Sequence, residues 1–244
     1  MPEYTKSSAK YFDICIKISN FAGFYSFIVM KLVFASNNKH KLQEVRQILP
    51  ENIHVISLAE IGFHQEIDET GSTLEQNSQI KAQTIWQWLT SQNLLDQVDG
   101  VFADDTGLEI KALCGAPGVR TARWAGEEAN DEANRQKALT ELDGIAERQA
   151  QFRTVITLIT NSRSLQVEGI VRGTIATTQQ GNGGFGYDPI FIAEESKGKT
   201  TKAKRSLIAS FYMIKSLISN KFLLLLYFIV KIKKALNEPL FYYF

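Results

Sequence analysis

Residues 101–123 read VFADDTGLEIKALCGAPGVRTAR. Val101, Phe102 and Ala103 have the character of a short buried strand, and Thr106-Gly107 reads as its end, which sets Asp104 and Asp105 at the strand's carboxyl terminus. Ligands of open α/β sheets bind at that end. Successive strand residues face opposite sides, so on a regular backbone only one of the two aspartates faces a given site squarely, leaving the other to orient it or to serve the structure. The same Asp-Asp-Thr-Gly run also suits a solvated turn, so the neighbouring segments must decide. Beyond it, Gly115-Ala116-Pro117-Gly118 is a turn, with Arg120 and Arg123 following.

Upstream, Lys31-Leu32-Val33-Phe34-Ala35 is a good buried strand, and Met30 before it marks where the compact domain begins. The polar run Ser36-Asn37-Asn38-Lys39-His40-Lys41 leads into Leu42, Val45, Ile48 and Leu49 at helical spacing, ended by Pro50. A strand, a polar turn and a helix in that order expose a helix N-terminus. Its N–H groups and dipole favour an anion such as phosphate, with Lys39 and Lys41 adding charge. The glycines of a P-loop are missing, and Ser36 or Asn37 as a plain N-cap is the simpler reading of the same residues. A second strand is expected over His54–Leu58. After it, Ser72 with Glu75 fits a capping box opening a helix to about Leu89, with Leu74, Ile80, Ile85 and Trp88 inward. Glu69 lies just outside that helix, and Asn77 and Lys81 share one of its faces.

Downstream, Asn130 caps a helix to Leu142 that turns Ala133, Ala138, Leu139 and Leu142 inward. Phe152–Thr160 and Leu165–Ile175 read as an antiparallel strand pair, so the sheet is mixed. In the glycine-rich Gly181–Phe191 segment, glycines on both sides leave the Phe185 ring unshielded, which suits stacking on a flat ligand, and Asp188 offers a hydrogen-bond partner for a polar edge.

Lys+Arg number 27 against 26 for Asp+Glu, a net charge of +1. This balance gives no electrostatic case for a nucleic-acid or membrane-surface protein. Phe185 and Tyr187 could stack bases, but no basic patch accompanies them, which disfavours an RNA-binding module. The 2 cysteines, Cys15 and Cys114, have neither disulfide nor zinc spacing, and a reducing cytoplasm is the default.

Five segments in this order, SNNKHK at 36–41, ETGSTLEQN at 69–77, ADDTGLEI at 103–110, GAPGVRTARWAG at 115–126 and GGFGYDPIF at 183–191, resemble the inosine triphosphate pyrophosphatase family. Its members hydrolyse non-standard purine nucleoside triphosphates. The resemblance covers residues 30–198 and implies an elongated mixed α/β sheet with flanking helices, two lobes around a central nucleotide cleft, and a homodimer. It implies that Ser36, Asn37, Asn38, Lys39, His40 and Lys41 hold the triphosphate; Asn77 and Lys81, four apart on one helix face, could both reach a common ligand. Glu69 and Asp105 would bind Mg²⁺, with Asp104 a second ligand or an orienting group. Thr106 would touch the nucleotide, and Phe185, Gly186, Tyr187 and Asp188 would hold base and sugar. The implied reaction is attack of water on the α-phosphorus, with Asp105 as proton acceptor.

Three departures stand out. Gln76 replaces a second acidic residue found in many relatives, which removes charge near the metal. The Ser-His-Arg motif with which the family ends is missing, because the 3 histidines are His40, His54 and His64. Residues 1–29 and 199–244 are expected to be atypical ends, the first an appendage from an upstream start codon and the second a shifted reading frame. The apolar run Phe222–Val230 is shorter than the ~20 residues of a membrane span. These departures keep open a nucleotide-binding relative without turnover. An aspartyl phosphatase is disfavoured, since adjacent strand aspartates do not reach one side.

Overall fold

The computed structural model describes residues 29–180 and 186–194. The expected extension at 1–29, Val29 apart, and the expected tail at 199–244 lie outside the described residues. Strands β1 (Met30–Phe34) and β2 (Ile53–Ile56) flank helix α1 (Lys39–Ile48). Helix α2 (Leu74–Ser91), strand β3 (Gly100–Ile110), the short strand β4 (Pro117–Gly118) and helix α3 (Asp131–Glu141) follow. Strands β5 (Gln149–Ile159), β6 (Ser164–Ile175) and β7 (Phe191–Ala193) complete the order.

The sheet runs β2-β1-β3-β5-β6-β7, with β4 attached to β3. β1 pairs parallel with β2 and β3, and the remaining pairs are antiparallel, so the sheet is mixed as expected. β3, however, does not stop at Thr106-Gly107. It continues to Ile110 because β5 pairs with it without interruption from Val101↔Ile159 to Ile110↔Ala150. Those long-range ladder bonds override the turn character of Asp-Asp-Thr-Gly. Gly107 is needed there for space: a Cβ would lie 2.6 Å from the Gly118 carbonyl oxygen.

The other edge of β3 is paired only at its ends. β1 covers Gly100–Phe102 and β4 covers Leu108–Glu109, so among the described residues Ala103–Gly107 has no strand beside it on that edge. The two carboxylates therefore sit in the middle of a long strand, where its parallel neighbour has run out.

Strand alternation sorts the core onto two faces. On one, Val45 of α1 and Leu49, just past its end, pack with Phe34 and Phe102, whose rings stack 4.8 Å apart. On the other, Ala82, Ile85 and Leu89 of α2 pack with Val33, Val101 and Ala103. A third cluster fills the far end, where Leu108 and Ile110 meet Ala138, Leu142, Phe152, Tyr187 and Phe191. β3 is thus apolar at both ends and polar between them, which divides the molecule into two lobes.

The helix starts differ from expectation by one or two residues. α1 is capped by Asn38, not Ser36 or Asn37, and α2 by Thr73, not Ser72. Thr73 accepts from the Gln76 N–H, while Gln76 Oε1 accepts from the Ser72 N–H at 2.7 Å, so the box is built on Thr73 and Gln76 rather than Ser72 and Glu75. The inward side of α2 comprises Leu74, Asn77, Ser78, Lys81, Ala82, Ile85 and Leu89, with Ile80 and Trp88 only half-buried. In α3, capped by Asn130 as expected, Asn134 is buried and Ala133 is exposed. Among the described residues no helix is long and apolar enough to cross a membrane, and Cys114 is a free, exposed thiol.

Candidate active site

The stretch of β3 that is open on one edge gathers charge from both faces. Asp104 points to the α1 side, where its Oδ2 lies 2.5 Å from Lys41 Nζ. Asp105 points to the α2 side, with Oδ1 3.6 Å from Lys81 Nζ, and Lys81 also donates to Glu69 Oε1 at 3.1 Å. The alternation expected from sequence holds, but both carboxylates border the same gap in pairing, so opposite faces do not separate them from one site. The Thr106 hydroxyl lies 3.3 Å from Asp104 Oδ2 and 2.9 Å from the hydroxyl of Thr154 on β5, while the Thr106 N–H donates to Asp105 Oδ1 at 3.1 Å.

Two buried oxygens among the described residues, Asp104 Oδ1 and Asp105 Oδ2, have no hydrogen-bond partner. Buried carboxylate oxygens are costly to leave in that state, so one such oxygen on each of two adjacent aspartates points to a positive partner for them. Burial opposes ionisation of Asp104, but Lys41 and Lys81 outweigh it and hold its carboxyl below the usual range. For Asp105 burial wins: against the pull of Lys81, and with Glu69 and Asp104 repelling a second negative charge, its pKa is pushed up to about 6. Lys81 is itself desolvated, yet Asp104, Asp105 and Glu69 keep its pKa above the ordinary value.

The donor set fits a hard divalent cation of the magnesium type. Mg²⁺ takes oxygen ligands, keeps several waters and is often held by one or two carboxylates plus substrate phosphates. Among the described residues no three His, Cys, Asp or Glu side chains are grouped closely enough to hold an ion by themselves.

The loop before α2 is fixed by Asn77, whose Oδ1 accepts the Gly71 N–H at 2.8 Å. A Cβ on Gly71 would come within 2.6 Å of that oxygen, so the close approach requires glycine. Asn77 thus uses its oxygen to hold the segment that carries Glu69. Gln76, turned back onto Ser72, points its oxygen at the helix entry rather than at the carboxylates.

The 36–41 segment borders the cluster through Lys41. Asn38 Oδ1 takes the N–H groups of both His40 and Lys41 at 3.0 Å, so the open row of helix N-terminal donors expected from sequence is partly closed. Side-chain charge, not free backbone N–H, is what this turn chiefly offers an anion. Ser36 Oγ accepts from the Asn38 N–H, Asn37 Nδ2 donates to the Gln65 carbonyl at 3.4 Å, and Lys39 and His40 are exposed.

Phe185 lies outside the described residues. Tyr187 is 3% exposed, inside the far-end cluster, with its hydroxyl donating to the Thr121 carbonyl at 3.0 Å. Its ring is therefore unavailable for stacking, and only its backbone can meet a ligand. Burial, with the nearby Asp131 carboxylate, raises its phenol pKa, consistent with a locked hydrogen-bond donor. Asp188 is buried as well.

The Ham1 family profile matches residues 32–207, a span that takes in the whole of this site. The chain belongs to the Ham1 family. Over 165 residues this Ham1 chain is 49% identical to the dITP/XTP pyrophosphatase of Flavobacterium psychrophilum, covering 68% of the chain and 83% of that relative. It is 44% identical over 178 residues to the dITP/XTP pyrophosphatase of Bacillus subtilis, covering 71% and 85%. The solved Ham1 protein of Staphylococcus aureus matches with a TM-score of 0.67 and 34% identity, over 78% of this chain and 99% of that one. A Ham1 protein from Coxiella burnetii matches with a TM-score of 0.66 and 32% identity, over 79% and 100%.

Sequence reasoning missed several groups that shape this Ham1 site. Thr154, fully buried, holds the Thr106 hydroxyl from the neighbouring strand, and only the register of β5 brings them together. Asn134 fixes the loop after β4, accepting from the Ala125 N–H at 2.7 Å and donating to the Ala122 carbonyl at 2.8 Å. An asparagine mid-helix with no ligand in view reads as solvated, and no local signal says otherwise.

Proposed function

We propose that this chain hydrolyses non-standard purine nucleoside triphosphates, inosine, deoxyinosine and xanthosine triphosphate, to the monophosphate and pyrophosphate, with Mg²⁺ as cofactor. The observation that carries the reading is the pair of buried carboxylates, each with an unpartnered oxygen, flanked by Lys41 and Lys81. The named activity of relatives that the chain matches over most of their length supports the same assignment.

Glu69 and Asp105 would hold the metal, with Asp104 a second ligand or an orienting group; when bound, the metal neutralises phosphate charge and helps pyrophosphate to leave. A water attacks the α-phosphorus, the bond from that phosphorus to the α,β-bridging oxygen breaks, and the bridging oxygen departs with pyrophosphate. Asp105 receives the water's proton, and the adjacent metal and lysine charges would keep its carboxylate ionised for that role at neutral pH. Lys41 and Lys81, already placed by Asp104 and Glu69, meet the charge that develops on the leaving phosphates. Thr106 orients the nucleotide through a hydroxyl held by Thr154. Gly186–Asp188 faces base and sugar. Pairing of two copies and residence in the cytoplasm belong to the same reading.

The test is to purify the 244-residue chain and assay inosine against adenosine triphosphate, with and without Mg²⁺, scoring pyrophosphate separately from orthophosphate. Metal-dependent inosine monophosphate and pyrophosphate, with adenosine triphosphate spared, is the expected result. Binding of nucleotide without turnover would replace the hydrolase reading with that of a binding relative.

A further inference from the structure

Helix α3 lies away from the carboxylate cluster, yet its first two turns grip the Gly186–Asp188 segment. Asp131 Oδ2 accepts the Gly186 N–H at 2.9 Å, and Arg135 Nη1 donates to the Gly186 carbonyl at 2.6 Å. One residue thus has its amide hydrogen and its carbonyl oxygen both held by side chains of the same helix. Gly186 has φ +60°, and a Cβ there would meet nothing within 4 Å, so the glycine serves backbone conformation and not space. Arg135 is held in turn by Glu132 at 2.6 Å and Gln179 at 3.3 Å, and its side chain is only 12% exposed. Asp131 is not spent on capping, since Asn130 Oδ1 already accepts from Ala133 at 3.0 Å.

The segment is also tied to β3. The Tyr187 hydroxyl donates to the Thr121 carbonyl, and Thr121 Oγ1 accepts the Leu108 N–H at 2.8 Å, two residues past Thr106. With one end anchored on α3 and the other on β3, Gly186–Asp188 is in fixed register with Asp105.

We propose that Asp131 and Arg135 are positioning residues that clamp the Gly186 peptide and thereby aim Gly186–Asp188 at the base and sugar of the nucleotide, an inference that rests on the nucleotide reading of the site. Neither side chain touches substrate. Their effect is on recognition: a loosened Gly186 peptide leaves the phosphates and the reacting water where they were but costs alignment at the purine end.

Full-length Asp131→Ala, Asp131→Asn and Arg135→Ala proteins are compared with wild type in steady-state assays on inosine and adenosine triphosphate. Urea midpoints and calorimetric affinity for a non-hydrolysable inosine triphosphate analogue are measured in parallel. The alanine variants raise KM for inosine triphosphate by about tenfold, the worth of one hydrogen bond, with kcat within about twofold and a reduced preference over adenosine triphosphate. Asp131→Asn, which retains an oxygen for the Gly186 N–H, stays near wild type. Wild-type KM and preference in both alanine variants, or a fall in kcat tracking a fall in urea midpoint, would overturn the proposal. If wild type binds the analogue without turning over substrate, hydrolysis fails as the function, and weakened analogue binding in the alanine variants still sustains the clamp. Unchanged analogue binding in those variants, or none in wild type, sinks it.

Discussion

The Lys41 ammonium lies 2.5 Å from Asp104 Oδ2, joining the first turn of α1 to the middle of β3 through a carboxylate only 1% exposed. The contact puts a cation next to a group that burial would otherwise neutralise. It also means that the lysine is positioned before any phosphate arrives.

Removing one partner of such a buried pair leaves a charge without compensation, which costs about 3 kcal/mol or more. Lys41→Met should therefore lower unfolding free energy by that order in urea titrations and abolish turnover. Lys41→Met combined with Asp104→Leu should recover much of the stability and none of the activity. A double variant no more stable than the single would show that Lys81 alone compensates Asp104.

Asp105 runs the other way. Its folded-state pKa of about 6 lies above the ordinary 3.8, so the folded protein binds the extra proton between those values and loses stability as pH rises through that window. Asp105→Asn removes the penalty. In metal-free protein it should be more stable than wild type by on the order of 2 kcal/mol at pH 7, with the advantage vanishing below about pH 4, while hydrolysis is lost. Equal urea midpoints at pH 7 would contradict the burial argument.

Mg²⁺ binding to the folded state raises stability by mass action, about 1.4 kcal/mol at a tenfold excess over the dissociation constant. Thermal midpoints should climb with Mg²⁺ in wild type and stay flat in Asp105→Asn. A parallel climb in both proteins would move the metal away from Asp105.

Gly71→Ala is a test of the Asn77 contact. The new Cβ would lie 2.6 Å from Asn77 Oδ1 and 2.7 Å from Gln76 Cβ, so the loop bearing Glu69 has to shift. A displacement near 1 Å at a catalytic group costs on the order of 100-fold in rate. The expected variant folds, needs more Mg²⁺ for half-maximal activity and turns over slowly; wild-type metal dependence would remove Glu69 from the site.

Much of this was legible in the residues themselves. Val101–Ala103 declares a strand because it is apolar, and the antiparallel pair follows from two long β-prone runs. What local sequence misjudged was the length of β3: Thr106-Gly107 carries turn character, and only ten consecutive partners on β5 keep it extended. The helix starts slipped because Ser36, Asn37 and Asn38, or Ser72 and Thr73, can all cap, and the path by which the chain enters the helix makes the choice. In the site, Asp104, Asp105, Lys41, Lys81 and Glu69 were all named from sequence. Thr154, Asn134, Asp131 and Arg135 were not, since each acts through a partner distant in the chain.

The pairing of β3 has a mechanical meaning. One edge is bonded to β5 along its whole length while the other is open over Ala103–Gly107, so the site is a notch cut into a continuous beam. A loop between lobes would let them swing; here movement of the two ends of β3 relative to one another must bend a hydrogen-bonded ladder. Deformation of that kind is stiff and small in amplitude. Among the described residues, the space beside Ala103–Gly107 is therefore a shape that the ladder holds ready.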